Sequence, residues 1–244
     1  MSAEVAPGVH RIGGGFVGMY LLVEGGRATL VDAGTPRDRR RLERTLAAAG
    51  LGLDAVEAVL LTHAHPDHLG LAERLRADQG VPVEIHRADV AMATGVEPFR
   101  LSPHLPWWRP SVTRTLVAGL FARVPWTPPV REVVVFDDGE VLDVPGRPRV
   151  IHAPGHTAGS CVLYAEARRV LFVGDVLATV DIVTGREGPV LSPSFANVDD
   201  EQALASLDRL DGIVADVLLP GHGRPWTGGV AEALTHARRV GIHP

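Results

Sequence analysis

Short apolar runs alternate along the chain with stretches whose apolar positions recur every three or four residues. Phe16–Val23 and Ala28–Val31 read as strands, with Glu24-Gly25-Gly26-Arg27 as the hairpin turn between them. Over residues 38–49, Leu42, Leu46 and Ala49 fall at helical spacing, and Gly50 suits a helix end. Ala55–Leu61 reads as a buried strand, Asp67–Ala77 as a helix, Val83–His86 as a strand and Ala88–Ala93 as a short helix. Between about 95 and 130 the pattern breaks: prolines stand at 98, 103, 106, 110, 125, 128 and 129, among Trp107, Trp108 and Trp126. One amphipathic helix, about Val112–Arg123, sits inside this insertion, with Leu116, Leu120 and Val124 on one stripe. Strands resume at Glu132–Phe136, Arg149–His152, Ser160–Ala165 and Val170–Val173. A helix at Asp200–Leu210, a strand at Asp216–Leu219 and a helix at Val230–Arg239 follow. Two strand-rich halves separated by helices imply sheets covered by helices on their outer faces, an α/β class.

The 244 residues suit one domain, 1–244, carrying the insertion at 95–130. With 45% hydrophobic and 22% charged residues, a disordered, collagenous or disulfide-scaffold chain is excluded. No run approaches the roughly 18 uncharged apolar residues of a membrane span, and the first residues lack the basic start of a signal peptide. The single cysteine, Cys161, reads as a small buried hydrophobe and suits a reducing compartment, so the expected location is the cytoplasm. A net charge of -5 makes nucleic acid an improbable partner, and no membrane partner is expected. Every basic residue is arginine, which excludes Schiff-base chemistry and lysine-dependent phosphate loops.

The chemistry concentrates in His63-Ala64-His65-Pro66-Asp67-His68, directly after an apolar strand. Residues two apart at a strand end point the same way, so His63 and His65 can hold one cation. Imidazole with carboxylate suits a borderline divalent metal. Three later strand ends repeat the grammar: Pro154-Gly155-His156-Thr157, Gly174-Asp175 and Pro220-Gly221-His222-Gly223. Five histidines and two aspartates at four strand ends fit two metal ions sharing one carboxylate.

The order Val31-Asp32-Ala33-Gly34, then Thr62–His68, Pro154–Thr157, Gly174-Asp175 and Pro220–Gly223, resembles the metallo-β-lactamase-fold hydrolases, in their glyoxalase-II-like branch. The resemblance covers most of the chain. It implies a four-layer αββα sandwich of two mixed β-sheets flanked by helices, with metals at one sheet edge. It places His63, His65 and His156 on a first metal, Asp67, His68 and His222 on a second, Asp175 as the bridge, and Asp32 behind the ligands, orienting them. It implies two divalent ions, zinc first, with iron or manganese as the other candidates. A metal-activated water would attack an ester, thioester or lactone carbonyl, with Asp67 as both ligand and proton acceptor.

Asp175 argues against β-lactam hydrolysis as the main activity, because the β-lactamases of this fold lack that bridge. Ala178 stands where the lactonases of the fold place a tyrosine. The helical C-terminal domain of glyoxalase II is not expected, because the chain ends soon after His222. Two other activities use overlapping ligands: a mononuclear iron persulfide dioxygenase and a metal-dependent phosphodiesterase. The expected partner is a small-molecule substrate. Trp107, Trp108 and Trp126 are candidate substrate-pocket residues if the insertion is a lid, or contacts of a homodimer if it is not.

Overall fold

The computed structural model describes residues 3–12, 17–100 and 102–243. In chain order the elements are β1 (Ala3–Ala6), β2 (Val9–Ile12), β3 (Met19–Glu24), β4 (Arg27–Val31), α1 (Arg39–Ala48), β5 (Val56–Leu60), α2 (Ala72–Gln79), β6 (Val83–His86) and α3 (Val90–Ala93). The insertion carries α4 (Pro110–Phe121). The second half contains β7 (Val134–Phe136), β8 (Arg149–His152), β9 (Cys161–Ala165), β10 (Val170–Gly174), β11 (Ala178–Val180), β12 (Glu187–Val190), α5 (Asp200–Ser206), β13 (Val217–Pro220) and α6 (Val230–Val240). Strands β1 to β7 form one sheet in sequence order, antiparallel up to β4 and parallel from β4 onward. A second sheet runs β13-β10-β9-β8, with only the β10–β13 pair parallel. β11 and β12 pair as a separate antiparallel ribbon.

Side-chain alternation along the strands produces the layering. Leu21, Leu30 and Val59 point to one face of the large sheet, where Leu42 and Leu46 of α1 and Leu75 of α2 cover them. Tyr20, Leu22, Val31 and Leu60 point to the other face and meet Val150, Leu163, Phe172 and Leu219 of the second sheet. The second sheet's outer residues, Ile151, Val162, Leu171 and Leu218, pack under Leu207, Ala233, Leu234 and Ala237. The result is an αββα sandwich with three apolar seams. Each fully buried leucine in these seams contributes about 1.5–3 kcal/mol relative to exposure.

The elements depart from the sequence expectation at several places. The expected helix from Asp67 starts only at Ala72, because the intervening backbone is pinned elsewhere. Gly70 N–H donates to Gly34 O at 2.7 Å, Leu71 N–H to Ala33 O at 3.1 Å, and Ala33 N–H to His68 O at 2.7 Å. A Cβ on Gly70 would stand 2.3 Å from Gly34 O, so only glycine lets the two segments meet. The strand expected from Phe16 starts at Met19, and Phe16 lies outside the described residues. β1, β2, β11 and β12 are strands that the sequence pattern does not announce. α4 begins at Pro110, whose fixed φ suits the first helical position. Among the described residues no helix is long and apolar enough to cross a membrane.

Candidate metal centre

The candidate ligands and Asp32 lie on the loops that leave the carboxyl ends of strands. Asp32 follows β4, His63 follows β5, His156 follows β8, Asp175 follows β10 and His222 follows β13. The parallel pairs β4–β5 and β10–β13 bring these ends to one edge of the sandwich. Glycine lets the loops close. Gly174 has φ +50°, and a Cβ there would lie 2.5 Å from Thr62 Oγ1. A Cβ on Gly221 would collide with the Asp175 carboxylate and lie 2.6 Å from His68 Cε1.

The seven predicted ligands converge. Three groups form, His63–His65–His156, His63–His68–Asp175 and Asp67–His68–His222, with the ligand atoms of each within 4.8 Å of one another. Asp175 lies between them. Its Oδ2 is 3.5 Å from His156 Nε2, 4.0 Å from His63 Nε2 and 3.3 Å from His222 Nε2, while its Oδ1 is 3.6 Å from His68 Nε2. Asp67 Oδ2 lies 3.3 Å from His222 Nε2. The Nε2 atoms of His63, His68 and His156 and Oδ1 of Asp175 are buried with no hydrogen-bond partner. Buried polar atoms left unpaired cost about 1–3 kcal/mol each. Four of them aimed into one space fit cations, and the imidazole–carboxylate set suits zinc, iron or manganese.

Partners on the far side hold the rings in place. Asp32 adopts φ +56°, accepts from Thr62 N–H at 2.9 Å, and sits 2.9 Å from His68 Nδ1. That contact holds the His68 ring with Nε2 facing the centre. Thr62 Oγ1 lies 3.1 Å from His63 Nδ1. Two residues escaped the sequence reading. Asn197 Oδ1 lies 3.3 Å from His156 Nδ1, and its amide donates to Ser192 O at 2.9 Å and Asp200 Oδ1 at 2.8 Å, which fixes its orientation. Asp89 joins the two ligand loops. It accepts from Ala64 N–H at 2.9 Å, Thr157 Oγ1 at 2.7 Å and Gly159 N–H at 2.6 Å. No spacing marks either residue; only a loop-to-loop contact reveals them.

Burial and crowded charge divide the ligands electrostatically. Burial, with His68 and His65 nearby, holds His63 well below the usual imidazole range. Burial and His156 bring His65 down to about 3. Burial lowers His156 against the pull of Asp175. His68 is raised to about 9, since Asp32, Asp175 and Asp67 together outweigh its burial. His222 is raised well above the ordinary value: burial opposes its charge, but Asp175 and Asp67 prevail. Asp67 falls to about 2, its burial overcome by His68 and His222, and Asp175 is lowered further by the same histidines. Two carboxylates are thus ionised, and three histidines present neutral lone pairs.

Beside the centre opens a cavity of about 1190 Å³, into which His65, Asp67, His156, Asp175 and His222 project. One wall comes from the insertion, through Phe99, Val112, Leu116, Leu120 and Val124. The opposite wall includes Val180, Ile182, Val190 and Phe195. The insertion therefore does flank the cleft, through α4 and the segments on either side of it, and not through its tryptophans. Trp107, Trp108 and Trp126 are 68%, 67% and 58% exposed and stand outside the cavity lining. The pocket role expected of them is corrected: Val112, Leu116 and Leu120 of α4, with Phe99, Val124 and the prolines 98, 125, 128 and 129, take the wall instead. Cys161 is buried, its Sγ 3.4 Å from Thr62 O, and burial pushes its thiol pKa up, as a packing residue requires.

The profile of the Metallo-beta-lactamase superfamily matches residues 12–222. The chain is 31% identical to the probable metallo-hydrolase YflN of Bacillus subtilis, over 92% of this chain and 87% of that protein. It is 32% identical to the acyl-coenzyme A thioesterase MBLAC2 of Gallus gallus, over 82% of this chain and 70% of that protein. Among solved structures, it is similar to a metallo-beta-lactamase family protein of Thermus thermophilus. There the TM-score is 0.69 at 28% identity, covering 96% of this chain and 80% of the other.

Proposed function

Because the chain belongs to the metallo-beta-lactamase superfamily, we propose that it is a two-metal hydrolase of the glyoxalase-II-like kind, acting on an ester, thioester or lactone carbonyl. The observation that carries this reading is the set of buried, partnerless ligand atoms around Asp175, opening onto a largely apolar cavity. His63, His65 and His156 would hold one ion, Asp67, His68 and His222 the other, and Asp175 both. Divalent metal bound there supplies Lewis acidity, bringing a water's pKa from about 15.7 towards about 7. Zinc suits the ligands best, with iron or manganese as alternatives.

The protein's own groups do the remainder. Asp67 stays ionised and lines the cavity, so its carboxylate can accept a proton from the attacking water. The walls of α4 and of β11–β12 bind the apolar part of the substrate and exclude bulk water. The likeness to an acyl-coenzyme A thioesterase favours a thioester among the three carbonyl classes. The lone buried cysteine fits a reducing compartment, which favours the cytoplasm.

Elemental analysis of purified protein tests the ligand count, with about two equivalents of transition metal expected. A panel of thioesters, esters, lactones, β-lactams and phosphodiesters tests the reaction. Asp175→Asn is expected to lose at least one equivalent and most turnover. One equivalent or less after zinc or manganese supplementation refutes the two-metal reading. Turnover confined to phosphodiesters refutes the carbonyl reading.

A further inference from the structure

α4 has apolar residues on both of its sides. Val112, Leu116 and Leu120 face the cavity, while Val117, Phe121 and Leu120 are also exposed outward. Ser111, Thr113, Arg114 and Thr115 keep the first turns polar, so the exposed apolar patch lies in the second half of the helix, at Val117, Leu120 and Phe121. Around it stand exposed Trp107, Trp108 and Trp126. Trp107 and Trp108 meet edge to face at 6.3 Å, and the Arg123 guanidinium lies 5.9 Å from the Trp126 ring centre. The charge is one-sided. Residues 98–131 contain Arg100, Arg109, Arg114, Arg123 and Arg131 and no aspartate or glutamate, in a chain of net charge -5.

We propose that this face docks peripherally on an anionic lipid surface, laying the tryptophans and Phe121 into the headgroup region and the arginines against lipid phosphates. Exposed tryptophan with arginine is the composition that settles at a membrane interface. Charge complementarity selects this occupant over a second copy. Arg100 lines the cavity and Arg131 pairs with Glu73, but a two-fold contact places the same patch on both sides, which would set the cluster of Arg109, Arg114 and Arg123 against its own copy with no acidic residue in either segment. An anionic bilayer instead attracts each arginine near it, roughly fivefold in affinity per charge. Leu120 belongs to both the exposed face and the cavity lining, so the docked face adjoins the cleft. The inference concerns binding alone and does not depend on which bond the centre cleaves.

The test is co-sedimentation of the full-length, metal-loaded protein with sucrose-filled vesicles, of phosphatidylcholine alone or with 30% phosphatidylglycerol. Brominated lipids quench any tryptophan that enters the bilayer. Binding is expected to the anionic vesicles only, to weaken on raising NaCl, and to quench tryptophan fluorescence. Trp107→Ser/Trp108→Ser/Phe121→Ser is expected to weaken it at least about tenfold, and Arg109→Glu/Arg114→Glu/Arg123→Glu at least about 100-fold, the product of three charges at roughly fivefold each. Circular dichroism and metal content, unchanged in both variants, show that the fold persists. No vesicle binding by the wild type, or binding equal in both variants, overturns the proposal. So does a dimer in analytical ultracentrifugation that the serine variant dissolves while vesicle binding is absent, which would assign the face to a second copy.

Discussion

Asp89 ties the His63–His68 loop to the loop carrying His156, although it is not itself a candidate ligand. Its Oδ2 accepts from Ala64 N–H and Thr157 Oγ1, and its Oδ1 accepts from Gly159 N–H. Asp89→Asn keeps the shape and one acceptor oxygen. Placed at the Oδ2 position, that oxygen retains two bonds and turns the new NH2 against the buried Gly159 N–H. A bond to a charged acceptor is worth about 1.5–3 kcal/mol, and the orphaned N–H adds to its loss. The two surviving bonds weaken as the charge goes, while relief from burying that charge offsets part of the cost. The expected destabilisation is about 2–4 kcal/mol, a Tm drop of roughly 5–15 °C at this chain length. Urea unfolding of the metal-loaded protein measures the first, and amide exchange at Ala64 and Gly159 locates it. Asp89→Ala, which loses all three bonds, is expected to be worse. The reasoning fails if Asp89→Asn unfolds within about 0.5 kcal/mol of wild type and Gly159 keeps its protection.

Asn197→Leu removes the partner of His156 Nδ1; isothermal titration is expected to show metal affinity reduced roughly 10–100-fold, and unchanged affinity would count against an orienting role. The raised pKa of His68, about 9 in the metal-free protein against 6.5 unfolded, predicts two opposite trends. The stability that its charge lends the metal-free protein is full below pH 6.5 and lost as pH rises through 9. Over the same window zinc affinity rises, because the metal must displace that proton. Titrations at pH 6.5 and 8.5 giving equal affinities would refute this. Gly221→Ala drives a methyl into the Asp175 carboxylate and towards His68; it is expected to lower metal content with little change in the far-ultraviolet spectrum, and a full metal complement would show that the loop has slack.

Local chemistry already determined much of this protein. Alternating apolar runs marked the central strands, and histidine- and aspartate-bearing turns at their ends marked the candidate ligands, because a strand end is where the backbone turns and a polar side chain is released from the sheet. The order of those motifs resembled one fold, and the sandwich has its layers. Several features depended on contacts far apart in sequence. The segment after Asp67 is not helical because its backbone bonds go to Ala33 and Gly34, which helical spacing cannot register. Asn197 and Asp89 act through partners 41 and 25 to 70 residues away. The tryptophans of the insertion attracted attention by composition, yet α4 forms the cavity wall and leaves them outside it. Residue type shows which chemistry is available along the chain; packing decides which atoms meet, since a hydrogen bond or a wall requires two segments whose separation no periodicity records.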